Sequence, residues 1–132
     1  MTTEDTHRPV RAAMTREPIV VDGLTTVAEA LAEMRARDIS SLVVQRRHAQ
    51  DEFGIVLVAD IAREVIGQGR VPERTQVYEV MAKPAPSIDA EMDVKYAVRL
   101  MLRLGLTHAL VLEGRELAGI VTLRDLVVSV AA

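Results

Sequence analysis

The chain has 132 residues, of which 49% are hydrophobic and 27% charged, a composition that suits a folded domain with a core of its own. Sixteen basic residues stand against nineteen acidic ones, a formal net charge of −3, so no overall electrostatic pull toward nucleic acid exists. The lack of cysteine excludes disulfides, thiol nucleophiles and thiolate metal sites, and three aromatics (Phe53, Tyr78, Tyr96) are too few for a base-stacking platform.

The opening MTTEDTHRPV carries acids and no apolar stretch, so residues 1–9 read as an N-terminal tail and not as a secretory signal. No apolar run approaches a membrane span, and a cytoplasmic protein with neither membrane nor DNA as a partner is expected. Val10–Met14 reads as a short helical lead-in, IVV at 19–21 as a brief strand, and Thr25–Arg37 as an amphipathic helix started near Asp22-Gly23. SSLVVQ and GIVLV read as strands, with QRRHAQDEF between them as a variable hairpin tip that keeps Arg46-Arg47-His48 in solvent. A closing helix carries Asp60. GQGRVPERTQ, with two glycines and a proline, reads as an exposed connection. Gly67-Gln68-Gly69 within it lacks the following Gly and Lys of a phosphate loop and is a linker.

From Val77 the pattern begins again. Val77–Met81 is a second helical lead-in, PSI a brief strand, and Met92–Leu104 a second amphipathic helix started near Asp89-Ala90. HALVLE and GIVTL are strands, and DLVVSVAA closes the chain as an almost wholly apolar helix. Sliding the sequence by 67 residues puts Val10 on Val77, Met14 on Met81, Asp22 on Asp89, Ala30 on Ala97, Met34 on Met101 and Val44 on Val111. At an offset of 65, Gly54, Ile55, Val56 and Asp60 fall on Gly119, Ile120, Val121 and Asp125. An ordered series of this kind indicates duplication. The domain organisation expected is a repeat over 10–67, a linker over 68–76 and a second repeat over 77–132. The fold class expected is α/β (α+β), with the order strand, helix, strand, strand, helix written twice.

Two features go beyond a core. Leu100, Met101 and Leu102 are consecutive and span about 200° of a helix, more than the single stripe a surface helix buries. With the apolar closing helix, they point to contact with another chain. The second feature is Thr122-x-x-Asp125, at a strand end just before a helix. As a capping box, the threonine accepts a backbone N–H and the acid favours the positive helix end. As a ligand grip, the hydroxyl and helix start meet a phosphate while the carboxylate accepts from both hydroxyls of a ribose. Repeat 1 keeps Asp60 although Leu57 cannot cap, which favours the ligand grip, though the helix dipole also accounts for an acid there.

The paired strand-helix-strand-strand-helix unit, the Met-x-x-x-Pro lead-in from Met14 to Pro18 and the Gly-Ile-Val-Thr-x-x-Asp close resemble the cystathionine-beta-synthase (CBS) domain, here in tandem like a Bateman module. The likeness covers roughly Val10 to Val130. Departures are the absence of the family's Leu-Pro-Val-Val proline in Ser41–Val44 and His108–Val111, and Leu57 where Thr or Ser is usual. The resemblance implies pseudo-twofold-related repeats packed as one compact module with two clefts. Cleft A would use Thr15, Arg16, Pro18, Ile19, Ile39, Ser40, Thr122, Arg124 and Asp125, with Asp125 on a ribose, Thr122 on phosphate or ribose, and Ile19 and Ile39 about an adenine. Cleft B, weaker for want of a hydroxyl at Leu57, would use Asp60, Pro84, Ala85, Pro86, Leu106, Thr107 and His108.

The function implied is regulatory binding of an adenosine-containing ligand (AMP, ADP, ATP or S-adenosylmethionine), with no cofactor required. A disc-like homodimer of four repeats would signal to a regulated protein of unknown identity. The alternative is a ligand-free structural dimerisation module. No enzyme is expected: His7, His48 and His108 lack metal-ligand spacing, and no nucleophile motif accompanies them.

Overall fold

The computed structural model describes residues 7–131, so most of the expected 1–9 tail lies outside the described residues. Among the described residues, seven strands and four α-helices follow in the order β1 (Thr15–Arg16), β2 (Val20–Val21), α1 (Val27–Arg37), β3 (Ser41–Val44), β4 (Gly54–Leu57), α2 (Val58–Glu64), β5 (Ser87–Asp89), α3 (Val94–Leu104), β6 (His108–Glu113), β7 (Glu116–Thr122) and α4 (Leu123–Ala131). The α+β class and the doubled unit hold. The lead-ins shrink to single 3-10 turns at Val10–Ala12 and Val77–Glu79.

Both amphipathic helices begin later than expected. Thr26 caps α1 in a reciprocal box with Glu29, and Asp93 caps α3 by accepting from the Lys95 N–H. Asp22 and Asp89, expected near the starts, instead accept from the N–H groups of Leu24 (2.7 Å) and Glu91 (2.8 Å) in the turns before them. α1 and α3 bury the same face: Val27, Ala30 and Met34 in one, Val94, Ala97 and Met101 in the other. Both end in left-handed residues, Asp38 (φ 54°) and Gly105 (φ 67°).

The chain forms two compact bodies, and they cut across the sequence repeats. The first holds the chain up to Pro18 and from Pro86 on; the second is Ile19–Ala85. In the first, the sheet order is β1-β7-β6-β5, with β5 parallel to β6 and the other pairs antiparallel. In the second, β2 lies parallel to β3 and β3 antiparallel to β4, and Ile55 of β4 bridges to Ala82. Each body thus takes its lead-in from the other repeat. Val10 sits in the core with Met101, Val111, Val121 and Leu126, and Val77 sits in the core with Met34, Val44, Val56 and Ile61. Burying such side chains stabilises each core by about 1.5–3 kcal/mol apiece.

The glycine opening each GIV phrase explains the crossing. At Gly119 an added Cβ would lie 2.5 Å from the Thr15 carbonyl oxygen and 2.7 Å from Met14 Sδ; at Gly54 it would lie 2.8 Å from Met81 Sδ. The lead-in passes directly over the strand, where only a hydrogen fits.

The expected connection is exposed over most of its length, from Gly67 to Arg74, but not at its end. Its end docks on α1: the Thr75 carbonyl accepts the Val27 N–H at 2.7 Å, Thr75 itself is buried, and its hydroxyl bonds to the Val71 carbonyl. The Val27 N–H belongs to the first turn of a helix and needs an acceptor, which is why the chain docks at Thr75. In the first body, Arg8 and Pro9 are tied to the start of α3, where the Arg8 N–H donates to Asp93 and the Val94 N–H to the Arg8 carbonyl. The Arg8 guanidinium reaches the Ser129 carbonyl of α4.

The repeat 1 hairpin is fastened by a charge pair. Lys83 Nζ meets Asp51 at 2.7 Å, and the Arg47 N–H donates to the same carboxylate oxygen at 2.8 Å. The Lys83 hydrogen bond, then the backbone bond from Arg47, hold the Asp51 carboxyl well below the usual carboxylate range. A depressed folded-state pKa contributes stability above the ordinary value near 3.9 and loses it as pH falls toward the folded value. Asp51→Asn is therefore expected to lower the urea midpoint at neutral pH, with the gap to wild type closing as pH drops below about 4. A gap that is constant with pH would contradict this. Gly119→Ala is expected to cost about 1–3 kcal/mol by overpacking. Met14→Ala should rescue it poorly, because the nearest obstacle is backbone, whereas Met81→Ala should substantially rescue Gly54→Ala. Equilibrium unfolding of the four single and two double variants checks the contrast.

Candidate functional site

β7 ends at Thr122 and α4 starts at Leu123 with no intervening loop, so strand-end and helix-start groups share one spot. Asp125 Oδ2 accepts the Thr122 N–H at 3.0 Å, and the Asp125 N–H donates to Thr122 Oγ1 at 2.9 Å. The capping box expected from Thr-x-x-Asp is present in both directions. It leaves chemistry unspent. Among the described residues, Asp125 Oδ1 accepts no hydrogen bond and the Thr122 hydroxyl donates none. The carboxylate is half-buried and fixed in orientation by its other oxygen.

Asp60 offers a direct control. Its Oδ2 accepts the Leu57 N–H at 2.9 Å, so an acid at this position caps the strand-end amide without any hydroxyl partner. Retention of Asp60 beside Leu57 therefore has a structural cause and gives no support to the ligand grip. Its Oδ1 is occupied as well, by Arg63 Nη2 at 2.8 Å. The residue equivalent to Arg63 three places after Asp125 is Val128, which cannot do this. The signal was readable: an Arg at i+3 on a helix reaches an acid at i.

The other expected residues divide between the bodies. In the first, Thr15 and Arg16 are exposed and pair with Ile120 and Gly119 on β7, Pro18 is half-buried and Arg124 is exposed beside Asp125. Thr107 and His108, expected with Asp60, stand beside Thr122 in this body. His108 is the cross-strand partner of Thr122, and the Leu123 N–H donates to the Thr107 carbonyl at 2.9 Å. Thr107 Oγ1 and His108 Nδ1 lie 2.9 Å apart. Sequence reasoning missed this adjacency, although antiparallel pairing of HALVLE with GIVTL across a tight turn fixes it. Leu106 packs against the first core, and the Pro86 carbonyl accepts the Leu110 N–H at 2.8 Å.

In the second body, Ile19 and Ile39 pack against the core, both half-buried. The Ser40 carbonyl accepts the Val58 N–H at 2.9 Å, which places Ser40 at the start of α2 beside Leu57. Ala85 is buried with its N–H on the Phe53 carbonyl, and Pro84 is exposed. Among the described residues no group of three His, Asp or Glu side chains could hold a metal ion, and no helix is long and apolar enough to cross a membrane.

The model of the CBS domain family matches residues 10–67 and 77–132. A hexameric CBS-CP12 protein from bloom-forming cyanobacteria is 34% identical with a TM-score of 0.87, over 91% of this chain and 69% of that one. An uncharacterized conserved protein from Pyrococcus horikoshii is 27% identical with a TM-score of 0.85, over 97% of this chain and 96% of that one. An uncharacterized protein of Methanopyrus kandleri is 28% identical over 112 residues, 84% of this chain and 57% of the relative. The chain spans about half the length of the curated relatives it matches.

Replacing Thr122 with Ala removes the acceptor for the Asp125 N–H and is expected to cost about 1 kcal/mol of stability, while Thr122→Ser keeps it. Thermal denaturation of the two variants at one pH checks this. Equal melting temperatures would mean that the hydroxyl does not hold the helix start.

Proposed function

The chain belongs to the CBS domain family as a tandem pair, and from that premise we propose that it is a regulatory module that binds an adenosine-containing ligand and performs no catalysis. One observation carries the reading: the half-buried Asp125 carboxylate spends one oxygen on the helix start and keeps the other uncommitted. Such a carboxylate has two lone-pair sites left for a vicinal diol, and its orientation is set before any ligand arrives. The Thr122 hydroxyl, which accepts the Asp125 N–H and donates no hydrogen bond, keeps its proton for a phosphate, and Arg124 is exposed beside it, while Arg16 is exposed further back along the strand, opposite Gly119. AMP, ADP, ATP and S-adenosylmethionine all carry the required ribose. Asp60, whose second oxygen is taken by Arg63, is the poorer candidate, so the site at Asp125 is proposed as the principal one.

A module of this kind acts by favouring one arrangement of chains over another. Tyr96, Leu102 and Leu104 of α3 and Val127, Val128 and Val130 of α4 are exposed in the first body, an apolar surface beyond what its core uses. The homodimer is proposed to form through these helices, and the protein it regulates would read the change. The second reading, a dimerisation module without ligand, rests on that apolar surface alone.

Calorimetric titration with the four compounds separates the readings. Binding in the micromolar range is expected, and Asp125→Asn, which keeps an acceptor for the Thr122 N–H, should weaken it by about 1.5–3 kcal/mol. Unchanged affinity in that variant would remove the site assignment, and no binding by wild type would leave the dimerisation module. Light scattering that returns the mass of one chain at micromolar concentration would remove the dimer from both.

A further inference from the structure

The two hairpins differ in one respect that the proposed function does not use. Gly114 and Arg115 join β6 to β7, whereas the whole of Gln45–Phe53 joins β3 to β4. That longer segment is exposed at Arg47–Gln50, as expected of a hairpin tip, but Arg46, Asp51 and Phe53 anchor it. Asp51 inside it is bound by Lys83 and by Arg47, with its side chain only 10% exposed. The Arg46 guanidinium lies 4.9 Å from the Phe53 ring centroid, a cation–π distance, and donates to the Ala49 carbonyl.

Folding this segment back leaves a cleft of about 900 Å³ within the second body, the size of a small-molecule pocket. Leu24, Val44, Tyr78 and Met81 give it an apolar lining, and Arg46, Arg47 and Lys83 give it three cations. It lies at the Val44–Gly54 end of the β3–β4 pair, whereas Asp60 stands at the Ser41–Leu57 end. Three residue steps of strand, about 10 Å, separate the two ends.

We propose that this cleft is a second ligand site and that it takes an organic anion: a flat apolar body carrying a carboxylate, sulfonate or phosphate. The charge argument is a count of what faces the cavity. Three cations line it against a single carboxylate, Asp22, whose Oδ1 already accepts the Leu24 N–H. Asp51 pairs with Lys83 and Arg47 and neutralises part of their charge, but its side chain is only 10% exposed and does not line the cavity. Arg47 is held by Nε at 3.3 Å while its side chain stays 78% exposed, so its fork remains able to meet an incoming anion. The apolar argument rests on Leu24 and Tyr78, which line the cavity and are 66% and 50% exposed. An inorganic anion would leave both wet. A ligand with an apolar body covers them.

The test uses the full chain and a probe of the stated chemistry, anilinonaphthalenesulfonate, against its uncharged parent without the sulfonate. In amide NMR spectra the sulfonate is expected to shift Gly23, Leu24, Gln45 and Tyr78, and the parent to bind about tenfold more weakly, a difference of about 1.4 kcal/mol. Arg46→Gln/Arg47→Gln should remove that preference. Because Arg46 also stacks on Phe53, Arg47→Gln alone serves as the milder variant and should lose several-fold in affinity with the rest of its spectrum unchanged. Shifts confined to the exposed Leu102 and Val127 faces, equal binding of the two probes, or no shifts at saturating probe would each overturn the proposal.

Discussion

Both bodies depend on a backbone crossing over a glycine. The Met14–Thr15 segment passes over Gly119, and Met81–Ala82 passes over Gly54, so close that a methyl group would overlap a carbonyl oxygen in the first case and a sulfur in the second. Each crossing lets the lead-in pair with the strand beneath and delivers a valine, Val10 or Val77, into the core alongside. Since each lead-in comes from the other repeat, neither repeat can complete its own sheet and core. The duplication is thus an interlocked pair. That constraint explains why the GIV glycines recur in register with the lead-in methionines: the two positions are the two sides of a single contact.

How much of this was legible depends on how local each cause is. The helices, the four long strands and the equivalence of the repeats follow from apolar periodicity, which reports on neighbours within one element. The cores follow too, because Val27, Ala30 and Met34 recur as Val94, Ala97 and Met101. The exchange of lead-ins was not legible, because Val10 matches Val77 whichever body each one enters. Helix starts were misplaced for a related reason. Asp22 and Asp89 look like caps, but they close turns, and Thr26 and Asp93 a few residues later do the capping. Docking of Thr75 on α1 was hidden as well, since a glycine- and proline-containing stretch carries no mark of the one carbonyl a distant helix needs.

In the Thr122–Asp125 box, capping and the proposed binding use the same geometry. A cap fixes the carboxylate by one oxygen and aims the other, so it removes a rotamer cost that a ligand would otherwise have to offset. Setting capping against ligand contact, as the sequence invites, is therefore a false choice for Asp125. The discriminating feature lies one turn further on. Arg63 closes the second oxygen of Asp60, and Val128 leaves that of Asp125 open. An exposed i,i+3 ion pair is worth only a few tenths of a kcal/mol to stability, yet it decides whether a carboxylate is available. Small energies of this kind can separate two sites that share an ancestor.

The placement of α4 joins the proposed ligand to the proposed interface. The helix begins at the Thr122–Asp125 box and carries Val127, Val128 and Val130 on its exposed side within the next two turns. At 1.5 Å per residue those positions lie within about 10 Å of the helix start, along an element held by its own hydrogen bonds. A ligand that adds bonds at the start of α4 acts on the same rigid rod that presents the apolar surface. No long relay of side chains is then required, because any tilt or shift favoured by the ligand is a displacement of the surface itself. The magnitude available is bounded by the ligand's difference in affinity between the two placements of that helix. A few hydrogen bonds to one charged group, at about 1.5–3 kcal/mol each, are enough to change a population ratio by tenfold or more.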